Sequence, residues 1–346
     1  MIKVGIDTSI LQGPSGVRGV GKYTTCLIKA LKEFNAIEIK EVEDNNFEAV
    51  DLIHYPYFDF FFHTLPLKKT KKTVVTIHDC IPLVLADHYP VGIKGRINFL
   101  RQKFSLKNVT AVLTDSESSK KDIIKFLNVP QERITVTYLA ADPRYRKTED
   151  RRQKTEIKQK YSLSERFILY VGDVNYNKNL PGLIKAFNLI KDTGINLVLV
   201  GKAFKNDQLV EVKELKNITE ELKLTEKIKY LGFVPDEDLL LIYNLALVYC
   251  MPSFYEGFGI QILEAMACGC PVVTGNVSSL PEIAGKAAVL VDPYEIKMIA
   301  EGVEKVIKDG EFKAELIKAG FTLSREFSWQ KTAEETIKIY KQVINK

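Results

Sequence analysis

Short runs rich in Val and Ile alternate with longer stretches whose apolar residues recur at helical spacing, and the alternation happens twice. In the first round the runs are VGID (4–7), DLIHY (51–55), TVVTIHD (73–79), AVLTDS (111–116) and ITVTYLA (134–140). Segments such as GKYTTCLIKALKEF (21–34) and SSKKDIIKFLN (118–128) lie between them. Continuously apolar strands are buried on both faces, and a helix between successive strands makes them parallel. The almost wholly polar EDRRQKTEIKQKYSLSE (149–165) breaks the pattern and reads as a linker with an exposed first helix. The alternation then restarts with FILYVG (167–172), NLVLVG (196–201), KIKYLG (227–232), ALVYCMPS (246–253), PVVTG (271–275) and AAVLV (287–291). Helices are predicted between them over Leu180 to Ile190, Asp207 to Leu224 and Glu295 to Ile307. An α/β chain of two doubly wound domains follows, 1–165 and 166–326, with a ligand cleft expected between them. A length of 346 residues agrees with two cores. The terminal segment 327–346 carries one more amphipathic helix, FSWQKTAEETIKIYKQVI.

No apolar run is long enough to cross a bilayer, and MIKVGIDTSI begins as a strand with no leader pattern. Five scattered cysteines, Cys26, Cys80, Cys250, Cys268 and Cys270, form no C-x-x-C and no zinc spacing, so reduced thiols in a cytoplasmic protein are expected. Charge is uneven: residues 1–165 hold 27 Lys/Arg against 20 Asp/Glu, and the remainder 22 against 24. Nine basic and two acidic residues fall in 68–107, including KKTKK, with Arg96, Phe99, Arg101, Lys103 and Phe104 interleaving cations and rings. A solvated surface accounts for most such runs. The functional reading is attraction to anionic lipid headgroups or a phosphorylated acceptor. No nucleic-acid recognition signature accompanies the charge.

Several stretches could carry chemistry. Gly13, Gly16, Gly19 and Gly21 precede a helix, where backbone N–H groups can approach a phosphate, although the third glycine of a dinucleotide fingerprint is Thr24. A flexible turn is the alternative. His78 and Asp79 end a predicted strand, where doubly wound sheets place ligands, whereas His54, His63 and His88 have no comparable context. Ser116 to Ser119 read as a helix N-cap. Lys178 and Asn179 stand at the start of a helix, where a cation opposes the dipole unless an anion binds there. Asp236 and Asp238 form a D-x-D string, but after Pro235 they read as first-turn acids and not as a metal site.

The stretch SFYEGFGIQILE (253–264) sets Glu256 in a loop and Glu264 along a helix, with the N–H groups of Phe258, Gly259 and Ile260 between them. A diphosphate flanked by a sugar and a ribose would meet both carboxylates. The pattern E-G-F-G-x-x-x-x-E-A-x-A-x-G-x-P-V, running from Glu256 to Val272, closely resembles the family 4 retaining glycosyltransferases of the GT-B fold, built of two Rossmann-like domains. GVGKYT (19–24), TIHDCIPL (76–83), DSESSKKDI (115–123), YVGDVNYNKNL (170–180), LGFVPDEDL (231–239) and VSSLPEIAG (277–285) extend the resemblance over nearly the whole chain.

The resemblance implies a retaining, metal-independent hexosyltransferase with no cofactor, moving a hexose from a nucleotide diphosphate sugar to a hydroxyl acceptor. GDP-mannose is the first choice of donor because HDCIPL and NYNKNL resemble polysaccharide-assembly mannosyltransferases; a UDP-sugar stays open. It further implies catalytic roles for Glu256, Lys178 and His78. Donor binding would fall to Gly19, Gly21, Gly172, Lys178, Val234, Gly257, Phe258, Gly259, Ile260 and Glu264. The first domain would hold the acceptor, the second would hold the nucleotide sugar, and the last helix would cross back to the first. The expected location is cytoplasmic, peripheral on the inner membrane face through 68–107. Asn177 and Gln261 depart from the pattern, standing where relatives carry Arg and Pro. An epimerase of the same fold and a non-catalytic sugar-nucleotide binder are the rival readings.

Overall fold

The computed structural model describes residues 1–12, 19–43, 47–190 and 194–345; Gly13 and Gly16 lie outside them. The chain forms two compact units, 1–140 with 327–346, and 141–326. The first holds a six-stranded parallel sheet of β1 (Ile2–Asp7), β2 (Ile37–Val42), β3 (Leu52–Tyr55), β4 (Lys72–Thr76), β5 (Ala111–Thr114) and β6 (Ile134–Val136), in the order β2-β1-β3-β4-β5-β6. The second holds β7 (Phe167–Val171), β8 (Asn196–Val200), β9 (Ile228–Leu231), β10 (Val248–Met251), β11 (Val272–Gly275) and β12 (Ala288–Val291), in the order β12-β11-β10-β7-β8-β9. Every pairing is parallel. The predicted α/β class with two doubly wound sheets is therefore correct.

One strand escapes the sequence pattern. IEIKEV (37–42) alternates apolar and charged residues because β2 is an edge strand, paired only to β1 and partly open to water. Both sheets reverse their winding once. In the first the reversal lies between β1 and β3, in the second between β7 and β10. Loops leaving the carboxyl ends of those strand pairs diverge and leave a crevice, which positions the candidate sites.

The division falls at Ala140, ahead of the linker drawn at 149–165. Asp236 accepts hydrogen bonds from Arg144 Nη2 (3.0 Å) and Tyr145 Oη (3.0 Å), and Asp238 from Lys160 Nζ and Tyr161 Oη (2.6 Å each). These bonds bind the polar segment to the second unit. Both aspartates do open a helix, Asp236–Leu245, as the acidic first turn predicted.

The terminal helix Trp329–Asn345 belongs to the first unit, 186 residues of the second unit intervening in sequence between 140 and 327. Tyr340 Oη meets His54 Nδ1 at 2.6 Å, and His54 Nε2 meets Thr76 Oγ1 at 2.8 Å. Thr332 Oγ1 donates to Tyr138 O (2.6 Å). Burial lowers the His54 pKa to about 3, so the ring is neutral and anchors the helix to β3 and β4. Sequence reading gave His54 no role. Among the described residues no helix is long and apolar enough to cross a membrane.

Candidate active site

In the second unit the loops after β7 and β10 hold Lys178 and Glu256 side by side. Lys178 Nζ lies 2.7 and 2.9 Å from the two Glu256 oxygens, with side chains 14% and 7% exposed. Lys178 is thus neither solvated nor waiting alone for an anion, the two states its sequence position suggested. It is held in a desolvated ion pair beside the winding reversal.

Asparagines build this loop pair. Asn179 adopts a left-handed backbone (φ 52°) at the start of the helix Leu180–Ile190, and its Nδ2 donates to Pro252 O (3.1 Å) and Pro293 O (2.6 Å). Asn177 accepts from Phe254 N–H at 2.7 Å and donates from Nδ2 to Tyr255 O at 2.9 Å. Asn177, which replaces the arginine of the family pattern, is therefore a buried staple between the β7 and β10 loops. From the other side, Glu256 N–H donates to Ser278 Oγ (2.9 Å), and Ser279 Oγ reaches Glu256 O (3.0 Å) and Phe258 O (3.2 Å). Gly259 then turns left-handed (φ 88°) to open the helix Ile260–Ala267. A Cβ there would stand 3.0 Å from Leu280 Cδ2. The cap residue is itself a glycine and supplies no capping side chain, so the first-turn amides and dipole present an anion-binding end next to the Lys178–Glu256 pair.

Glu264 is the fifth residue of that helix, buried, and accepts from Tyr243 Oη at 3.2 Å. Phe258 and Val234 are buried, each 5% exposed. Gly172 follows β7, where a Cβ would strike Tyr170 Oη at 2.6 Å. Gly257 is buried between Glu256 and Phe258.

His78 belongs to the first unit. Its Nδ1 is 2.7 Å from Asp115 Oδ2, and its Nε2 is 3.0 Å from Pro56 O. A carbonyl only accepts, so Nε2 carries a proton and donates it to Pro56. Burial opposes charge on the ring, but Asp115 outweighs it and raises the His78 pKa. Burial likewise raises Asp115, partly offset by His78. Both nitrogens are occupied, which suits His78 to fix Pro56 and Asp115 rather than to take a proton. Gly19 and Gly21 lie in the first turn of the helix Gly19–Lys32; a Cβ at Gly19 would meet nothing within 4 Å.

Beside Pro56, at the reversal between β1 and β3, a cavity of about 420 Å³ is lined by Asp7, Ser9, Tyr57, His63 and Thr64 among others. Sequence reading missed it, because recognising it needs the strand order that the overlooked β2 completes.

Comparison with known proteins agrees with this architecture. The model of glycosyl transferases group 1 matches residues 151–322, and that of glycosyltransferase family 4 matches 17–145. O-antigen chain mannosyltransferase B of Escherichia coli is 33% identical over 293 residues, covering 82% of this chain and 75% of that one. The chain belongs to the family 4 glycosyltransferases. The serotype-specific mannosyltransferase WbdA of Escherichia coli is 28% identical over 79% of this chain, which spans 34% of that longer relative. HepE from Anabaena, solved in complex with UDP and glucose, superposes with a TM-score of 0.78 at 17% identity, covering 99% of this chain and 100% of HepE. This family 4 glycosyltransferase has the GT-B fold, as the motif resemblance implied.

Proposed function

We propose that this family 4 glycosyltransferase is a retaining mannosyltransferase of surface-polysaccharide assembly, taking mannose from GDP-mannose to a hydroxyl of a glycan or lipid-linked saccharide. The observation that carries the reading is the desolvated Lys178–Glu256 pair set against the uncapped helix start at Gly259. The mannosyl donor is supported by the O-antigen mannosyltransferases to which the chain is similar.

The diphosphate lies on the first-turn amides of the Ile260–Ala267 helix. Its negative charge draws Lys178 from Glu256, whose carboxylate turns to the sugar hydroxyls. Glu264 accepts from the ribose. As the bond between the anomeric carbon and the phosphate oxygen breaks, charge accumulates on the leaving diphosphate. Lys178 and the helix amides stabilise that charge, a contribution of several kcal/mol in preorganised sites. The acceptor oxygen bonds to the anomeric carbon on the same face and its proton passes to the departing phosphate oxygen. Configuration is retained without a protein nucleophile.

The cavity at Asp7, Tyr57, His63 and Thr64 offers the hydroxyl-binding groups an acceptor sugar needs, and His78 fixes its Pro56 wall. The reaction is metal-independent: Asp236 and Asp238, the D-x-D string, are engaged with Arg144, Tyr145, Lys160 and Tyr161. The enzyme works at the inner face of the cell membrane. Incubation with separate nucleotide sugars and a membrane extract, followed by mass spectrometry of the glycan products, tests the reading. Mannose addition from GDP-mannose is expected; a free epimerised sugar nucleotide would overturn it.

A further inference from the structure

The helix Ile93–Ser105 of the first unit is built inside out. At about 100° per residue, Ile93, Ile97, Leu100 and Phe104 fall within roughly 60° of one another on one face. They are 80%, 53%, 65% and 55% exposed. The opposite face carries Asn98, Gln102 and Ser105, and these polar side chains turn inward. Asn98 Nδ2 donates to Phe61 O (2.9 Å), Gln102 Nε2 to Asp59 O (3.0 Å) and Thr64 Oγ1 (2.9 Å), and Ser105 Oγ to Gln102 O (2.6 Å). The Asn98 and Gln102 bonds fix the 57–67 loop, on which Phe62 stands 69% exposed. A helix that turns hydrogen-bonding side chains inward and leaves four large apolar side chains in water has its burial partner outside the unit.

Charge identifies the partner. Lys94 and Arg101 flank one side of the apolar stripe and Arg96 the other, where Lys103 Nζ is held by Phe126 O (2.7 Å), and 93–107 contains no Asp or Glu. Cations bordering an apolar stripe on both sides match a layer with anionic headgroups above hydrocarbon. A second copy would bring like charges together on both flanks. The KKTKK run contributes less than its charge suggests. Lys69 is half-buried, with its pKa lowered by burial to about 8, and bonds to Pro66 O and Ser105 O (3.0 Å for the latter). Lys72 Nζ bonds to Ile344 O at 2.8 Å.

We infer that the 93–105 helix seats its Ile93–Ile97–Leu100–Phe104 face in the headgroup layer of an anionic bilayer, with Lys94, Arg96 and Arg101 among the lipid phosphates. The choice of the inner leaflet rests on the function proposed above; the docking surface itself does not.

The test is co-sedimentation of the full chain with phosphatidylcholine vesicles, with and without phosphatidylglycerol, across a salt series. Binding is expected to the phosphatidylglycerol vesicles and to weaken with salt. The variant Ile97→Asn/Leu100→Asn/Phe104→Asn should fold normally, since those side chains are exposed, and lose more than about tenfold in partitioning. Lys94→Gln/Arg96→Gln/Arg101→Gln should lose roughly fivefold per cation and most of the salt dependence. Transfer to a soluble acceptor in lipid-free buffer should be unchanged in both. A wild type that transfers sugar yet ignores phosphatidylglycerol vesicles overturns the docking and spares the function. Vesicle binding without transfer supports the docking and sinks the function. A wild-type dimer that the apolar triple variant dissociates, with no vesicle binding by either, assigns the face to a second copy and overturns the inference.

Discussion

Replacing Lys178 with Met leaves the Glu256 carboxylate in a nearly closed pocket with no cation. Replacing Glu256 with Gln leaves the ammonium equally stranded. The pair sits at 2.7 and 2.9 Å, with both side chains largely removed from solvent. At an effective dielectric near 20, unit charges about 4 Å apart attract by about 4 kcal/mol. Breaking one partner of a buried pair costs about 3–5 kcal/mol, while removing both charges together costs far less. Because Lys178 keeps some solvent contact, a loss around or somewhat below the bottom of that range is expected, about 2–4 kcal/mol for each single variant. The double variant Lys178→Met/Glu256→Gln should lose no more than about 1 kcal/mol, a coupling of several kcal/mol. Trp329, the sole tryptophan, belongs to the first unit, so urea unfolding of the second is followed by circular dichroism. The same variants separate on ligand. Lys178→Met should weaken GDP binding by at least about tenfold, whereas Glu256→Gln should tighten it by releasing Lys178 to the diphosphate. Additive stability losses, with the double variant equal to the sum of the singles, would refute the buried pair. Equal GDP affinities in the two single variants would refute the exchange of partners.

Three further outcomes are expected. His54 has a folded pKa of about 3 against 6.5 when exposed, so the unfolded chain takes up the proton first. Stability of the first unit is then full above 6.5 and falls by up to about 1.4 kcal/mol per pH unit below it, a slope that His54→Gln should remove from Trp329 fluorescence melts. His78 works in the opposite direction, so the difference between wild type and variant is the quantity to read; identical pH profiles would rule out a buried neutral His54. Gly259→Ala forces a left-handed alanine against Leu280, which should cost about 1–2 kcal/mol and misplace the helix amides; unchanged GDP affinity by calorimetry would argue against the anion site. Asp236→Asn/Asp238→Asn should lower the melting temperature by loosening 141–165 while transfer persists in EDTA; activity abolished by EDTA and restored by Mg²⁺ would mean that a metal holds the diphosphate.

Much of this architecture was legible because buried parallel strands are composed almost entirely of apolar residues. All six strands of the second sheet stand out as such runs. β2 does not, since an edge strand partly open to water carries Glu38, Lys40 and Glu41 among its apolar residues. In sequence the 93–105 helix shows only as a mixture of cations and rings, because inversion of its faces defeats the rule that apolar means inside; Phe99 packs inward near Phe61, while Phe104 faces water. The glutamates and Lys178 could be picked out by motif and position. Their pairing could not, because it joins residues 78 apart through two loops whose approach depends on the β7–β10 register. Asn177 shows the same limit. Seen alone it is an arginine lost from the family pattern; in three dimensions its amide closes the loop that carries Lys178. His54 left no trace because its partners, Thr76 and Tyr340, lie 22 and 286 residues away.

We propose that mannose passes from GDP-mannose through a site built on Lys178, Glu256 and the helix start at Gly259. Mass spectrometry of single-turnover reactions decides this, with isotopically labelled GDP-mannose, membrane extract as acceptor source, and wild type beside Lys178→Met. Labelled mannose should appear in a glycan product with its anomeric configuration retained, and Lys178→Met should slow transfer by about 10²–10³. Transfer from a UDP-sugar in preference to GDP-mannose, an inverted product, or full activity in Lys178→Met would overturn the proposed reaction.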